Sequence, residues 1–433
     1  MYSVLEKNKF WAIMLLVLYT IWNFAAVVSS EGQESYDTYR YFSSVFDVQN
    51  PGVTTTAFFL AVGDSRLIII LLTLFSTIAF SLLVIAILYR LRSTWIRWPM
   101  VLIILMFSMT TPIWNYNTVL LTESLTVTSL ILWITSIVVL AASIPTKTWL
   151  PLASLTVAAA LAVVTRPQLL IIIIPTQFVL LIWVARRDSL RLPAFLSGLA
   201  LLPFVGFGIF RINQLSEVSL YQFRYALNNL VDKGSSFRPY ALETMPPCES
   251  VPLALNGPAP WNDVQALEAS MMNICPDTWI WFNSDATRVP EWFLSDPIAA
   301  LLDFQGSMAR VVLSVMSEGR AMPSWLSDLF LNPFQPWLWM SFYAIIGITF
   351  AIIAKVRPKV TAWSITGILT VGLAVVAFMF VMWSSDGYDI SRHIYPILPV
   401  IAIAFLVFPA VIPRSLAREE ITFSGNPSNS VDR

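Results

Sequence analysis

The chain has 433 residues, of which 57% are hydrophobic and 12% charged, and its mean hydropathy is +0.71. Soluble globular proteins are nearer half apolar and a quarter charged, so this composition excludes an ordinary soluble domain. It also excludes collagen and disordered chains, because 28 Phe and 17 Trp residues fit neither. The apolar runs are long and continuous, whereas the strands of a membrane β-barrel alternate over about ten residues. The sequence therefore predicts an all-α polytopic membrane protein.

Ten apolar segments follow one another along the chain, at about the length of 20 residues that a membrane-spanning helix needs. They lie near residues 10–29, 67–88, 98–113, 121–143, 148–164, 168–185, 193–213, 336–354, 361–383 and 394–413. The first of them is too long and too aromatic for the core of a signal peptide, so we expect an uncleaved span.

The distribution of Lys and Arg predicts the orientation of these spans. With the N-terminus inside, most basic residues fall on one side of the membrane. These are Lys7, Lys9, Arg90, Arg92, Arg97, Lys147, Arg186, Arg187, Arg191, Lys355, Arg357, Lys359, Arg414, Arg418 and Arg433. The short loops opposite hold only Arg40, Arg66, Arg166 and Arg392. Because cytoplasmic loops are rich in Lys and Arg, we expect about ten transmembrane helices with both termini cytoplasmic.

The gaps between the spans divide the chain into four parts. These are an N-terminal membrane module of seven spans (1–213) with a long first outer loop (30–66), a large extracytoplasmic region (214–335), three C-terminal spans (336–413) and a cytoplasmic tail (414–433) expected to be disordered. Within the large region, Pro297–Val315 has apolar residues at helical spacing with Asp303 and Arg310 between them. This pattern predicts an amphipathic helix at the membrane interface.

The two cysteines, Cys248 and Cys275, both fall in the large extracytoplasmic region. A periplasm or an ER lumen is oxidising, so the pair is a candidate disulfide, with two unpaired thiols as the alternative. A bridge here would lower the entropy of the unfolded chain and so stabilise the fold by about 3 kcal/mol.

Charged residues are nearly absent from the predicted span centres, which disfavours an ion-coupled carrier. The polar residues gather instead in four outer connections. These are the 31–41 segment, Glu123, Arg166 and the 386–393 turn. An acid or a base from each of several connections is what a site on the outer face would need.

Four short motifs in these connections resemble the GT-C class of integral-membrane glycosyltransferases, which use polyprenyl-phosphate sugars. They are Asp37-Thr-Tyr-Arg40-Tyr41, Leu121-Thr-Glu123-Ser-Leu125, Thr165-Arg166-Pro167-Gln168 and Ser391-Arg392-His393-Ile-Tyr-Pro396 with Pro399. The sequence departs from the family pattern at Gln168, where relatives carry Glu, and at His393, where they carry Tyr. The resemblance covers residues 1–213 and 385–413, and residues 214–335 resemble no family.

The resemblance implies inverting transfer of a sugar from a polyprenyl-phosphate donor to an acceptor hydroxyl on the extracytoplasmic face. Asp37 would be the general base, while Arg392 and His393 would contact the donor phosphate. Supporting roles would fall to Glu34, Arg40, Tyr41, Glu123 and Arg166. The partners implied are the donor, a glycan or glycolipid acceptor and the lipid bilayer, with no nucleic acid, in a bacterial inner membrane.

Plainer interpretations stay open beside this one. Asp37 and Arg40 are three residues apart and could form a surface ion pair, and Arg392 could pair with Asp386 or Asp389 in a structural turn. Glu123 and Arg166 could likewise pair with each other in a structural role. Glu34, Asp37, Asp47 and Asp389 could supply oxygen ligands to Mg²⁺ or Ca²⁺, although their spacing matches no known metal loop.

Two other functional classes compete with a GT-C enzyme. An O-antigen polymerase or ligase would place its key arginines in the large late loop, at Arg224, Arg238 and Arg288. A non-catalytic lipid or sugar transporter would need polar residues through the span centres. The sequence does not distinguish the sugar or the acceptor.

Overall fold

The computed structural model describes most of the apolar segments of the chain. The described residues are 2–28, 53–91, 94–109, 123–143, 149–185, 188–217, 235–248, 273–283, 288–314, 336–353, 369–380, 397 and 399–409. They are almost entirely helical and contain no strand. The predicted all-α class is therefore confirmed for this part of the chain.

Fifteen α-helices lie within these ranges. They are α1 (Tyr2–Val28), α2 (Val53–Val62), α3 (Ser65–Arg90), α4 (Thr94–Ser108), α5 (Glu123–Ser143), α6 (Leu150–Thr165), α7 (Leu170–Ala185), α8 (Arg191–Glu217), α9 (Phe237–Thr244), α10 (Pro276–Asn283), α11 (Arg288–Ser295), α12 (Pro297–Ser314), α13 (Pro336–Ile353), α14 (Leu369–Phe380) and α15 (Pro399–Pro409). Short 3₁₀ turns over Pro167–Leu169 and Asp188–Leu190 precede α7 and α8.

Four of the described helical stretches are long and apolar enough to cross a membrane. They are Ser65–Arg90, Glu123–Ala141, Pro167–Ala185 and Arg191–Ile212. Five shorter apolar stretches lie in α1, α4, α6, α14 and α15. The chain is thus a helical protein whose apolar helices suit a bilayer.

Helix α2 lies in a stretch that the sequence analysis assigned to a loop. It is separated from α3 by a two-residue corner, Gly63-Asp64. Gly63 has φ of 71°, a left-handed conformation that suits glycine, and its N–H donates to the Phe59 carbonyl at 2.8 Å. The Asp64 carboxylate then accepts from the Leu67 N–H at 2.7 Å and caps α3.

The chain forms two compact units. Unit 1 comprises residues 1–211, 316–375 and 396–433, and unit 2 comprises residues 212–315 and 376–395. In unit 1, α5 packs along both α3 and α6. Buried apolar side chains such as Leu72, Phe80 and Ile131 fill the space between helices.

Side-chain hydrogen bonds join helices of unit 1 to one another. Asn23 of α1 donates to Thr77 of α3 at 3.2 Å, and Trp133 of α5 donates to Gln177 of α7 at 3.1 Å. The Thr156 hydroxyl of α6 and the Ser197 hydroxyl of α8 lie 2.5 Å apart. Such bonds between helices are typical of membrane bundles, where apolar packing alone discriminates poorly between arrangements.

Two glycines let helices of unit 1 approach closely. A Cβ at Gly347 of α13 would lie 2.5 Å from the carbonyl oxygen of Phe405 and 3.0 Å from that of Leu406, both in α15. A Cβ at Gly208 of α8 would overlap Leu170 and come within 3.2 Å of Val163. Small residues at helix contacts are common in membrane proteins because they allow backbones to touch.

Unit 2 is built around aromatic side chains. The Phe237 and Trp292 rings pack edge to face with centroids 5.4 Å apart, and Phe380 packs in the same way on Phe293 at 5.1 Å and on Phe304 at 5.7 Å. Phe237 and Trp292 are fully buried. These contacts gather α9, α11, α12 and the end of α14 into one core.

Polar links tie the same unit together. The Asp303 carboxylate of α12 accepts from the Ser236 N–H at 2.6 Å and from the Ser235 and Ser236 hydroxyls at 3.1 and 2.9 Å. Cys248 and Cys275 form a disulfide with Cα atoms 5.8 Å apart. Beside it, the buried Thr278 hydroxyl donates to the Pro246 carbonyl at 3.1 Å.

The predicted amphipathic helix Pro297–Val315 is present as α12. One face buries Ala300 and Phe304 in unit 2, while Ile298, Leu301 and Leu302 are at least half exposed. Asp303 lies on the packed side and fastens the helix to the segment before α9.

Candidate functional site: a buried charged cluster at one end of unit 1

Helices α5 and α6 pack as an antiparallel pair, so the start of α5 and the end of α6 lie at the same end of unit 1. This brings Glu123, the first residue of α5, and Arg166, the residue after α6, to what we call the Arg166 end. Helix α8 also reaches this end, because Gly208 contacts Val163 of α6 and Leu170 of α7. Arg211 follows Gly208 by about one helical turn.

The three charged residues of this end are buried. The exposed fraction of the side chain is 1% for Glu123, 5% for Arg166 and 4% for Arg211. Each of the three is engaged in further interactions. Buried charges are costly unless they are paired or hydrogen-bonded. An end of a helical bundle that keeps three of them therefore serves either polar chemistry or a structural network of ion pairs and hydrogen bonds. Two guanidiniums and one carboxylate give the trio a formal charge of +1.

Pro167 fixes the backbone around Arg166. A proline disfavours the helical conformation of the residue before it, and Arg166 is accordingly extended, with φ of −146° and ψ of 98°. The Arg166 N–H still donates to Ala162 at 2.9 Å, and its carbonyl accepts from Leu169 at 3.0 Å. The turn therefore ends α6 and starts α7 without a flexible linker.

Gln168 lies in the same turn and is half-buried. Its Oε1 atom is fully buried and has no hydrogen-bond donor in the part of the chain that the structure describes. A buried acceptor without a donor costs about 1–3 kcal/mol, so a donor group from a ligand would be favourable here.

The end of α1 and the helix α2 contribute to this same end. Val27 of α1, Phe59 of α2 and Leu72 of α3 share one apolar cluster, and Leu125 packs against it two residues after Glu123. Thr55 and Thr56 of α2 are also buried. Helices α1 and α2, on either side of residues 29–52, therefore both reach the end of unit 1 that holds the buried charges.

Glu123 and Arg166 are predicted site residues that fall within the described ranges, and both are buried at the same end of unit 1. Other predicted site residues lie outside the described residues: Glu34, Asp37, Arg40, Tyr41, Arg392 and His393. Arg211 and Gln168 were absent from the predicted site. The helix-end position of Arg211 was visible in the sequence, but its burial was not, because burial depends on the packing of other helices around it.

No group of three or more His, Cys, Asp or Glu side chains lies close enough to hold a metal ion within the described ranges.

No protein-family description matches the chain, and no curated protein or solved structure matches it either.

Proposed function

We propose that the protein is an inverting glycosyltransferase that uses a polyprenyl-phosphate sugar and works on the extracytoplasmic face of a bacterial inner membrane. One observation carries the proposal. Glu123, Arg166 and Arg211 are each buried at the same end of an apolar helical unit, and α1 also ends there. The proposal includes ten spans with both termini cytoplasmic, as the Lys and Arg distribution predicts.

The charge of this end suits the donor. A polyprenyl-phosphate sugar keeps its tail in the bilayer and its phosphate at the surface, so the enzyme must stabilise negative charge at a helix end. Arg392 and His393 would bond the phosphate directly, since charge-assisted bonds from a guanidinium fit phosphate oxygens. Arg166 and Arg211 would raise the local positive potential from beneath.

The reaction follows from these roles. The acceptor hydroxyl oxygen attacks the anomeric carbon and a new carbon–oxygen bond forms, while the bond from that carbon to the phosphate oxygen breaks. The hydroxyl proton passes to the Asp37 carboxylate, and polyprenyl phosphate leaves with its charge stabilised by the arginines. One displacement inverts the anomeric configuration and needs no covalent intermediate, so a single carboxylate base is sufficient.

Gln168 adds a neutral contact. Its buried Oε1 can accept a hydrogen bond from a sugar hydroxyl, whereas the Glu of the GT-C pattern would add a negative charge beside Arg166. With Gln at this position, the formal charge of the buried residues at this end stays at +1.

The test is transfer by the purified full-length protein from a panel of polyprenyl-phosphate sugars carrying mannose, glucose, galactose or arabinose. Asp37→Asn should lower transfer about 10²–10⁴-fold, since it removes the proton acceptor and keeps the shape. Donor binding should persist in Asp37→Asn and fall in Arg392→Ala. Glu31→Gln, from the same segment, is the matched control and should stay active.

Full activity of Asp37→Asn would contradict the assignment. If Arg224→Ala, Arg238→Ala or Arg288→Ala abolished activity while Asp37→Asn retained it, the polymerase or ligase alternative would replace this proposal. Mass spectrometry of lipid-linked sugars and surface glycans from a deletion strain would identify the sugar that accumulates.

A further inference from the structure

Arg97 is a buried charge at the other end of unit 1. It lies in the first turn of α4, a few residues after the end of α3, and we call this the Arg97 end. Only 4% of its surface is exposed. No role in the proposed reaction uses it, because the start of α4 is separated from the Arg166 end by the length of the helices.

Two of its donor groups have no acceptor. The Nε and Nη2 atoms of Arg97 are fully buried and make no hydrogen bond to any residue in the described ranges. These two nitrogens form one edge of the planar guanidinium, the edge whose parallel N–H groups grip two oxygens of a carboxylate or a phosphate. Buried donors without an acceptor are unfavourable, so an oxyanion at this edge would stabilise the folded protein.

The neighbouring tryptophans indicate how deep this edge of Arg97 lies in the bilayer. Trp95 is 89% exposed, and the Trp98 ring lies 5.9 Å from the Arg97 guanidinium carbon. Tryptophans at the ends of apolar helices are typical of the headgroup level of a bilayer. The abundant oxyanion at that level is the phosphodiester of a phospholipid, and an anionic lipid would also balance the Arg97 charge.

We propose that the Nε–Nη2 edge of Arg97 binds the phosphodiester of an anionic phospholipid headgroup at the Arg97 end of unit 1. The lipid completes the hydrogen bonding of the guanidinium and holds the start of α4 at the membrane surface. By the predicted orientation this lipid belongs to the cytoplasmic leaflet, and the proposal does not depend on the glycosyltransferase assignment.

The experiment uses the full-length protein in neutral detergent after removal of co-purified lipid. Its Tm is measured with phosphatidylglycerol, phosphatidylcholine or inorganic phosphate, and bound lipid is counted by native mass spectrometry. Phosphatidylglycerol should raise the Tm of the unmodified protein, and Arg97→Gln should weaken that binding about tenfold or more. Arg97→Lys keeps the charge without the two-donor edge. Its response to phosphatidylglycerol should therefore lie between that of the unmodified protein and that of Arg97→Gln.

Arg191→Gln is the matched control, because Arg191 is an exposed arginine at the start of α8, at the same end of unit 1. It should keep the full response to phosphatidylglycerol. If Arg97→Gln does not fold, the comparison rests on Arg97→Lys. An unchanged lipid response in the Arg97 variants would overturn the proposal, as would an equal Arg97-dependent shift with inorganic phosphate or phosphatidylcholine.

Discussion

Single polar residues inside apolar helices contribute to stability only through the partners they find. Gln177 is buried in α7 and accepts from the Trp133 indole at 3.1 Å, but its Nε2 group has no acceptor among the described residues. Replacing Gln177 therefore removes one bond and also one unsatisfied donor. The two effects oppose each other, so the single substitution should cost little.

A double-mutant cycle isolates the bond itself. Trp133→Phe and Gln177→Leu, alone and together, should give a coupling free energy of about 0.6 kcal/mol, and about 1.7 kcal/mol at most. The measurement is denaturant unfolding in detergent. Phe178→Leu provides the control, because Phe178 is the exposed neighbour of Gln177 and should show additivity with Trp133→Phe. Strictly additive Trp133 and Gln177 changes would show that the bond contributes nothing.

The sequence identified Glu123 and Arg166 as polar residues at helix ends, because apolar runs stop beside them. It did not predict that both are buried, since burial depends on which helices pack around an end and not on the helix that carries the residue. Arg97 illustrates the same limit. It was assigned only as one of many cytoplasmic basic residues, and the burial of its donor edge without an acceptor among the described residues is visible only in the folded structure.

At the scale of helices, glycines decide how closely two elements approach. Gly347→Ala should destabilise the protein by about 1–3 kcal/mol, because its methyl group would meet backbone carbonyl oxygens of α15 that cannot rotate away. Gly208→Ala should also destabilise, although the Leu170 side chain can shift. Thermal unfolding followed by size exclusion in detergent measures both.

Two other glycines serve as controls for this prediction. A Cβ at Gly206 of α8 would meet nothing within 4 Å, and one at Gly372 of α14 would come only to 3.7 Å from the Phe405 ring. Ala has a higher helix propensity than Gly by about 1 kcal/mol, so both changes should be neutral or stabilising. Equal Tm values for Gly347→Ala and Gly372→Ala would refute the close-contact interpretation.

Each of the ten predicted apolar segments contains a described helix, because long apolar runs are the clearest signal in such a sequence. Helix α2 was missed for a physical reason. Its ten residues include three threonines and are too few to cross a bilayer, so nothing distinguished them from loop. Helix α12 was found because its apolar residues repeat at helical spacing.

For the whole chain, the Cys248–Cys275 disulfide and the excess of basic residues in alternate loops make a joint prediction about sidedness. Cysteine labelling tests this prediction in a Cys248→Ser/Cys275→Ser variant, which carries no other cysteine. A single cysteine at Glu243, an exposed residue of α9, should react with a membrane-impermeant maleimide in intact cells. One at Ser189, exposed just before α8, should react only after permeabilisation, because it lies among Arg186, Arg187 and Arg191.

The reverse labelling pattern would invert the orientation and remove the periplasmic location from the proposed function.

Composition alone predicted an all-α chain with membrane-length helices, because apolar content is a property of the whole sequence. It could not predict how the 214–335 region folds, since that depends on contacts far apart in sequence. Asp303 reaching Ser235 and Ser236 is one such contact.

Helix α1 is held by its own contacts at two levels. Asn23 bonds Thr77, and about one helical turn further on Val27 joins Phe59 and Leu72. These contacts are made by α1 itself with α2 and α3. A chain cut once between α1 and α2 would remain assembled as two fragments, and a separately synthesised α1 would associate with the remainder, as in a split protein reconstituted from its parts.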